Sequence, residues 1–222
     1  MSQKRKKKVT NQNLKVNNPS QQQLNILLGH YQNGQLDDAE KLSISITNEF
    51  PTHQFAWKVL GAVLNQLGRI PESLVAKEKA VKLSPNDAEA HNNLGNTLKE
   101  LGRLEESEVS YNQAIALKPD FAGAYNNLGN TLQELEKLNE AVASYKQSIS
   151  LKPDFAEAHY NLGITLKELG KLEDSLASCT QAIALKPDYA EAHNNLGNTL
   201  KELGRLEESE VSYNQAIALK PD

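Results

Sequence analysis

Two series of residues, each with the spacing of one face of an amphipathic helix, follow one another along the chain; we call them stripes. With Ala88 counted as position 1, positions 4, 7, 8 and 11 of the first stripe are His91, Leu94, Gly95 and Leu98. This spacing is typical of one face of an α-helix. Gly102, at position 15, favours the left-handed conformation that ends a helix. The second stripe is Leu104, Ser107, Tyr111, Ala114, Ile115 and Leu117. The pattern predicts a hairpin of two α-helices that closes near Pro119.

The hairpin pattern returns with a period of 34 residues. Six prolines are separated by this step: Pro51, Pro85, Pro119, Pro153, Pro187 and Pro221. Residues 88–120 recur without a change at residues 190–222, three periods later, which indicates a recent duplication or gene conversion. Self-similarity at a fixed period of this size is typical of a solenoid in which each unit packs against its neighbours.

The unit resembles the tetratricopeptide repeat. The second unit carries seven residues of that family's pattern: Trp57, Leu60, Gly61, Leu64, Gly68, Ala80 and Pro85. The resemblance implies an all-α fold, a right-handed superhelical α-solenoid of helix-turn-helix hairpins. The array is expected at residues 20–222, as units 20–53, 54–87, 88–121, 122–155, 156–189 and 190–222, after a basic tail at residues 1–19. The chain departs from the family's pattern at two positions. Glu136 replaces the glycine that ends the first helix, and Cys179 replaces the usual aromatic residue of the second helix.

Several first helices are preceded by residues with the spacing of a capping box. In such a box, the side chain of the residue before the helix and that of the residue three places later bond each other's backbone N–H groups. The pairs with this spacing are Asn86 with Glu89, Asp154 with Glu157, and Asp188 with Glu191. They predict helix starts directly after Asn86, Asp154 and Asp188.

The side of the first helix opposite the core stripe is polar and repetitive. On an ideal helix this side contains positions 2, 6, 9 and 13. Position 6 is asparagine in five units, as Asn25, Asn93, Asn127, Asn161 and Asn195. Position 9 is asparagine in three units, as Asn96, Asn130 and Asn198. Position 13 adds Glu100, Glu134, Glu168 and Glu202. Because Asn costs a helix about 0.5 kcal/mol relative to Ala, a helix that needed only stability would not carry it.

An asparagine side chain both donates to and accepts from a peptide backbone. The position-6 series is similar to that in the repeat region of O-linked N-acetylglucosamine transferases, which implies a concave groove that grips the backbone of an extended peptide. The alternative is a solvated face copied by duplication, since recent copies are not independent. Asn25 and Asn161 lie in more divergent units and favour the binding interpretation.

Other chemistry-bearing residues are interpreted as structural. His91, His159 and His193 stand at position 4, where the family packs an aromatic ring, and Cys179 is interpreted as a small core residue. Acidic pairs that begin second helices, such as Glu105 with Glu106, fit the helix dipole. Some cochaperones of this family bind a C-terminal carboxylate with basic residues on successive first helices. In the best alignment with that clamp, this chain has Lys58, Ala62, Asn93, Gly123 and Asn127, so the later basic residues are missing. The sequence predicts no catalytic group, cofactor or metal site.

Charge is distributed unevenly along the chain. Six of the 24 Lys and Arg residues lie in the first 15 positions, which leaves 18 basic and 28 acidic residues beyond them, a net charge of −10 by subtraction. A body this acidic argues against a nucleic-acid surface. The run KRKKK, from Lys4 to Lys8, fits a nuclear-import signal, an RNA contact, an anionic-membrane contact or a disordered, solubilising tail. No apolar run is long enough to span a membrane, so we expect a cytoplasmic protein, or a nuclear one if the run is an import signal.

The sequence supports one main function and one alternative. The main interpretation is a non-catalytic protein–protein interaction scaffold that binds an extended peptide in the Asn-lined groove. The alternative is the amino-terminal, substrate-recruiting repeat region of a larger glycosyl-, sulfo- or methyltransferase. The last unit has an unmodified internal sequence, so its surface around Leu200, Tyr213 and Ala216 is expected to be covered by further sequence, a second copy of the chain or a partner.

Overall fold

A computed structural model describes residues 18–220, so the predicted basic run from Lys4 to Lys8 lies outside it. The described residues form twelve α-helices and no β-strand. The helices are α1 Gln21–Gln32, α2 Leu36–Glu49, α3 Gln54–Gln66, α4 Ile70–Leu83, α5 Ala88–Glu100, α6 Leu104–Leu117, α7 Ala122–Glu134, α8 Leu138–Leu151, α9 Ala156–Glu168, α10 Leu172–Leu185, α11 Ala190–Glu202 and α12 Leu206–Leu219.

The helices stack as a solenoid of hairpins. Each odd-numbered helix pairs with the even-numbered helix that follows it, and that helix packs on the next odd-numbered one. Odd-numbered helices of neighbouring units also touch, as α5 does with α7, whereas even-numbered helices make no comparable contact in the described part of the chain. The array therefore curves with the odd-numbered helices inside. Positions 2, 6, 9 and 13 of these helices form what we call the inner groove. The predicted all-α solenoid is confirmed.

The turn inside each hairpin needs a left-handed residue at position 15. Gly102 has a φ of 71°, and the glycines at this position in four other units are similar. Glu136 adopts a φ of 59° at the same place. Left-handed backbone costs a residue with a Cβ atom roughly 1–2 kcal/mol. The neighbouring helices impose this conformation on Glu136, so the fourth unit keeps the shape of the others at a local cost.

Glycine at position 8 lets the two helices of a hairpin approach closely. A Cβ atom at Gly95 would lie 2.7 Å from Cε1 of Tyr111, at position 24, which is fully buried. The first unit reverses the two sizes, with Leu27 at position 8 and Ser43 at position 24, both without exposed surface. Core volume is thus conserved by exchange across the hairpin.

The helix starts differ from the predicted capping boxes, and all three of those predictions are wrong. The residue that precedes α5 is Asp87, whose side chain accepts from the N–H of Ala90 at 3.0 Å, so Asn86 lies one residue too early. The helices α9 and α11 follow Phe155 and Tyr189, which make no side-chain cap. An aromatic residue therefore stands where the cap would be.

The aromatic residue at this place packs under a lysine. The Nζ atom of Lys152 lies 4.8 Å from the ring centre of Phe155, and that of Lys186 lies 4.6 Å from the ring centre of Tyr189. Such cation–π contacts contribute about 0.5–1 kcal/mol at exposed sites. A capping box does form at α1, between Ser20 and Gln23.

Candidate functional site

The side-chain amide of Asn127 bridges the third and fourth units. Its Nδ2 donates to Oδ1 of Asn92 at 3.2 Å and to Oδ1 of Asn96 at 3.1 Å. Asn127 lies at position 6 of α7, whereas Asn92 and Asn96 lie at positions 5 and 9 of α5. Both N–H bonds of Asn127 are therefore used between units.

The next junction repeats this arrangement. Asn161 Nδ2 in α9 donates to Oδ1 of Asn126 at 3.2 Å and to Oδ1 of Asn130 at 2.9 Å, both in α7. We call the two sets of three asparagines the amide ladder: Asn92, Asn96 and Asn127, then Asn126, Asn130 and Asn161. The ladder joins α5, α7 and α9 along the inner groove.

A buried tyrosine holds each position-9 asparagine from the opposite side. The hydroxyl of Tyr111 donates to Asn96 Oδ1 at 2.7 Å, and that of Tyr145 donates to Asn130 Oδ1 at 2.8 Å. Burial raises the pKa of both phenols well above the ordinary value, so the hydroxyls remain donors. Each Oδ1 thus receives two hydrogen bonds, which fix the orientation of the amide.

The ladder leaves defined hydrogen-bonding capacity unused. Asn96 accepts with Oδ1, so its Nδ2 keeps two donors, while Asn127 donates with Nδ2 and keeps its Oδ1 as an acceptor. Within residues 18–220 neither the Asn96 Nδ2 nor the Asn127 Oδ1 makes a hydrogen bond. Each full junction therefore presents an amide donor group at position 9 and an amide acceptor at position 6, both held in place by hydrogen bonds. The Nδ2 of the position-5 asparagine, Asn92 or Asn126, also makes no hydrogen bond among the described residues.

The ladder changes toward the carboxyl end of the array. Asn195 donates to the hydroxyl of Tyr160 at 3.0 Å, because the fifth unit has tyrosine at position 5. It also bonds the backbone oxygen of Glu191 at 3.1 Å. Asn198 accepts from Tyr213 at 2.8 Å, as Asn96 does from Tyr111.

The two remaining predicted site residues lie at the amino end, outside the ladder. Asn25 is exposed on α1 and accepts from Nε2 of Gln21 at 2.9 Å. Asn93 is exposed on α5, and within the described residues its side-chain amide makes no hydrogen bond. The preceding unit offers it no partner, because Lys58 and Ala62 occupy positions 5 and 9.

Lys77 is a groove residue that the sequence analysis missed. It occupies position 24, and its side chain reaches between α3 and α5 to a cavity of about 210 Å³ in the inner groove. The cavity is also lined by Lys58, Asn93, Asn96 and Glu100. The sequence does contain a signal for this role, because position 24, a core position, is tyrosine in three other units and lysine in this one.

Acidic side chains at position 13 are paired across units. Glu100 accepts from Nδ2 of Asn65 at 2.7 Å, and Glu168 accepts from Nε2 of Gln133 at 2.8 Å. Glu134 lies 2.9 Å from the ammonium of Lys99. Position 12 of one unit thus meets position 13 of the next.

The recurrent histidines are half-buried and bond the backbone. Nε2 of His91 donates to the carbonyl of Pro85 at 2.9 Å, and Nε1 of Trp57 donates to the carbonyl of Pro51 at 3.0 Å. The same contact joins His159 to Pro153 at 3.1 Å and His193 to Pro187 at 3.0 Å. In the described part of the chain, no group of three or more His, Cys, Asp or Glu side chains is arranged to hold a metal ion.

The other reactive side chains are also engaged in packing or pairing. Cys179 is fully buried, and burial raises the pKa of its thiol to about 11. Glu106, in the first turn of α6, is paired with Arg103, whose Nε lies 2.6 Å from Oε1. This contact with Arg103 lowers the pKa of Glu106 below its ordinary value.

The last helix carries exposed apolar side chains. Leu206 and Ile217 are each about 60% exposed, whereas their counterparts Leu104 and Ile115 in α6 are partly covered by the following unit. The predicted exposure of Leu200 is wrong, because this residue lies in α11 and is only 3% exposed, while Tyr213 and Ala216 are half-buried. Self-association through this surface stays a prediction.

The residues build a helical-repeat scaffold whose inner groove is lined by oriented amides. The tetratricopeptide repeat family accounts for this architecture: its profiles match residues 61–102, 95–136, 129–170 and 165–204, and residues 190–222. The chain belongs to the tetratricopeptide repeat family. Comparison with curated protein sequences gives no match.

Solved structures have the same fold at low sequence identity. PilW, described as a type IV pilus biogenesis factor, is similar with a TM-score of 0.81 and 21% identity over 90% of this chain and 94% of PilW. YrrB, described as a tetratricopeptide repeat protein with an unusual peptide-binding site, has a TM-score of 0.66 and 20% identity over 81% of this chain and 93% of YrrB. A thermophilic tetratricopeptide repeat protein of Thermus thermophilus has a TM-score of 0.63 and 27% identity over 76% of this chain and 92% of its own. Among residues 18–220, no helix has both the length and the apolar composition needed to cross a membrane.

Proposed function

We propose that this protein is a binding scaffold that holds an extended peptide segment of a partner protein in its inner groove. The tetratricopeptide repeat fold is that of protein-interaction scaffolds, and YrrB is an example with a peptide-binding site. The described residues are hairpins of this fold throughout. The function therefore depends on what the groove presents to a ligand.

The observation that carries the proposal is the unused capacity of the amide ladder. At the junction of the third and fourth units, Asn96 offers N–H donors and Asn127 offers a carbonyl acceptor. A peptide bond has the complementary pair, one C=O and one N–H. The second full junction, with Asn130 and Asn161, offers the same pair. Since each such hydrogen bond contributes only about 0.5–1.5 kcal/mol net, repetition along the array supplies the affinity.

The test must change the groove without breaking the ladder. Replacing Asn96 and Asn130 with Asp keeps an oxygen that accepts from Tyr111 and Tyr145, but it removes the free N–H donors. The matched control is Asn112→Asp, which adds the same charge type on the exposed outer surface of α6. The probe is a random-peptide display library selected on the wild-type protein.

We expect the selected peptides to bind the control variant as they bind the wild type. Binding to the Asn96→Asp, Asn130→Asp variant is expected to fall about tenfold or more, because each peptide carbonyl then meets a carboxylate. Unchanged binding by a folded double variant would contradict the groove proposal. Recruitment of substrate to a transferase domain uses the same groove and stays an alternative prediction.

A further inference from the structure

Lys77 replaces a core tyrosine, and its aliphatic chain fills the vacated space. A Cβ atom at Gly61 would lie 2.7 Å from Cγ of Lys77, which is the relationship of Gly95 to Tyr111 in the next unit. The residue is 8% exposed. The packed aliphatic chain therefore places an ammonium group at the bottom of the cavity between α3 and α5, where Tyr111 places a hydroxyl between α5 and α7.

The ammonium of Lys77 has a neutral hydrogen-bond partner. Its Nζ donates to Oγ1 of Thr97 at 2.5 Å, and among residues 18–220 no carboxylate lies within 4 Å of it. An ammonium group has three donors, so two remain without a hydrogen-bond partner among the described residues. Desolvation lowers the pKa of Lys77, and the field of Glu100 opposes this change. A desolvated cation without an anion in contact is destabilising, and an anion entering the cavity would relieve that cost.

The other charged groups around the cavity are already paired. Lys58 Nζ lies 2.9 Å from Asp87 and 3.6 Å from Glu89. The carboxylate of Glu100 accepts from Asn65 at 2.7 Å. The cavity therefore contains one cation that lacks a direct ionic partner among the residues the structure describes.

We propose that the cavity between α3 and α5 receives the carboxylate of an Asp or Glu side chain of the bound peptide, with Lys77 as the recognising group. The side chains of Asn96 and Asn93 line the same cavity. Their amide donors make no hydrogen bond among the described residues, and we assign the second carboxylate oxygen to them. The carboxylate of Glu100 lines the same cavity and repels a doubly charged anion such as a phosphate more strongly than a singly charged carboxylate. The inference rests on the proposed peptide-binding function and adds a preferred acidic residue to the ligand.

The experiment compares an acidic peptide with its amide analogue. A peptide selected on the wild-type protein is synthesised with an amidated C-terminus, so that only side chains supply carboxylates. A second version carries Gln for Glu, or Asn for Asp, at the enriched acidic position. Both are titrated against the wild type, Lys77→Met and Lys77→Tyr. Lys82→Met, which removes an exposed charge from the same helix, is the control.

We expect the amide analogue to bind the wild type and the Lys82→Met control about tenfold more weakly than the acidic peptide. The difference is expected to shrink to about twofold or less in both Lys77 variants. Lys77→Tyr protects the test against misfolding, because tyrosine beside glycine is the arrangement of the third unit; thermal melting checks both variants.

Selected peptides without an acidic preference, or a preference that survives in the Lys77 variants, would overturn the carboxylate receptor and leave the peptide-binding function standing. Failure of the wild type to select any peptide would instead overturn the proposed function itself, and the receptor with it.

Discussion

The side chains of Asn127 and Asn96, in neighbouring units, are joined by a hydrogen bond of 3.1 Å whose acceptor is also held by Tyr111. Asparagine in this groove thus stabilises the stacking of units in addition to lining a surface. Both roles use the same amides at different atoms, since one atom of each side chain faces its neighbours and the other remains for a ligand. Alanine substitution would therefore mix loss of binding with loss of stability.

Alanine substitution should change the free energy of unfolding more at an asparagine of the amide ladder than at a groove asparagine outside it. Asn127→Ala removes two hydrogen bonds between units and leaves Oδ1 of Asn92 without a donor, whereas Oδ1 of Asn96 keeps the donor from Tyr111. We expect a loss of about 1–2 kcal/mol, larger than the gain of about 0.5 kcal/mol in helix propensity. Asn93→Ala is expected to change stability by no more than about 0.5 kcal/mol. Urea unfolding followed by circular dichroism measures both. Equal effects of the two substitutions would argue against the ladder.

Glycine at position 8 is needed where a tyrosine at position 24 packs against it. In Gly129→Ala the new Cβ would lie 2.5 Å from Cε1 of Tyr145, so we expect destabilisation of about 1–3 kcal/mol. Gly123 lies in the same helix, and a Cβ there has its nearest neighbour at 3.5 Å. Gly123→Ala is therefore expected to be neutral or to stabilise by about 0.5 kcal/mol. Melting temperatures of the pair distinguish contact from helix propensity, and a tolerated Gly129→Ala would refute the packing argument.

Glu136 carries backbone strain that glycine would relieve. At a φ of 59° we expect Glu136→Gly to stabilise the protein by up to about 1 kcal/mol, after allowance for the greater freedom of glycine in the unfolded chain. The reverse change, Gly102→Glu, is expected to destabilise by a similar amount. Thermal unfolding of both variants tests this symmetry; a lower melting temperature for Glu136→Gly would show that its side chain makes a compensating contact.

Cys179 should resist alkylation while the protein is folded. The thiol pKa is raised to about 11 by burial, whereas a free cysteine has a pKa of about 8.5. We expect iodoacetamide to react at pH 8.5 more than about 100-fold more slowly in buffer than in denaturing urea. Because the folded state keeps a proton that the unfolded state releases, stability should fall as the pH rises from about 8.5 toward 11. Rapid, complete modification of the native protein would contradict this placement.

Much of the fold could be predicted because each unit repeats a local pattern. The stripe of His91, Leu94 and Leu98 and the turn at Gly102 set the helix faces and the end of the helix, and the structure has a helix at Ala88–Glu100. Helix starts were less predictable. The spacing of Asp154 and Glu157 fits a capping box, but Phe155 intervenes and the helix begins after it.

The amide ladder could not be predicted from one unit, because its bonds cross between units. A signal does exist within the chain. Units with tyrosine at position 24 have asparagine at position 9, as in Tyr111 with Asn96, whereas Lys77 stands with Ala62 and Cys179 with Ile164. This joint variation indicates contact between positions 24 and 9, because the tyrosine hydroxyl and the asparagine amide form a hydrogen bond. It also marks two of the three junctions where the groove departs from the ladder, one of which contains the Lys77 cavity.

The central claim is that the groove holds the main chain of an extended peptide, and backbone methylation tests it most directly. A selected peptide is compared with analogues that carry one N-methyl group each and with an alanine scan of its side chains, by calorimetric titration against the wild type. We predict that methylation at the positions facing Asn127 and Asn161 lowers affinity about tenfold, and that alanine substitutions away from the acidic position cost about threefold or less. Tolerance of methylation at every position, with affinity lost only through side-chain truncation, would contradict the account.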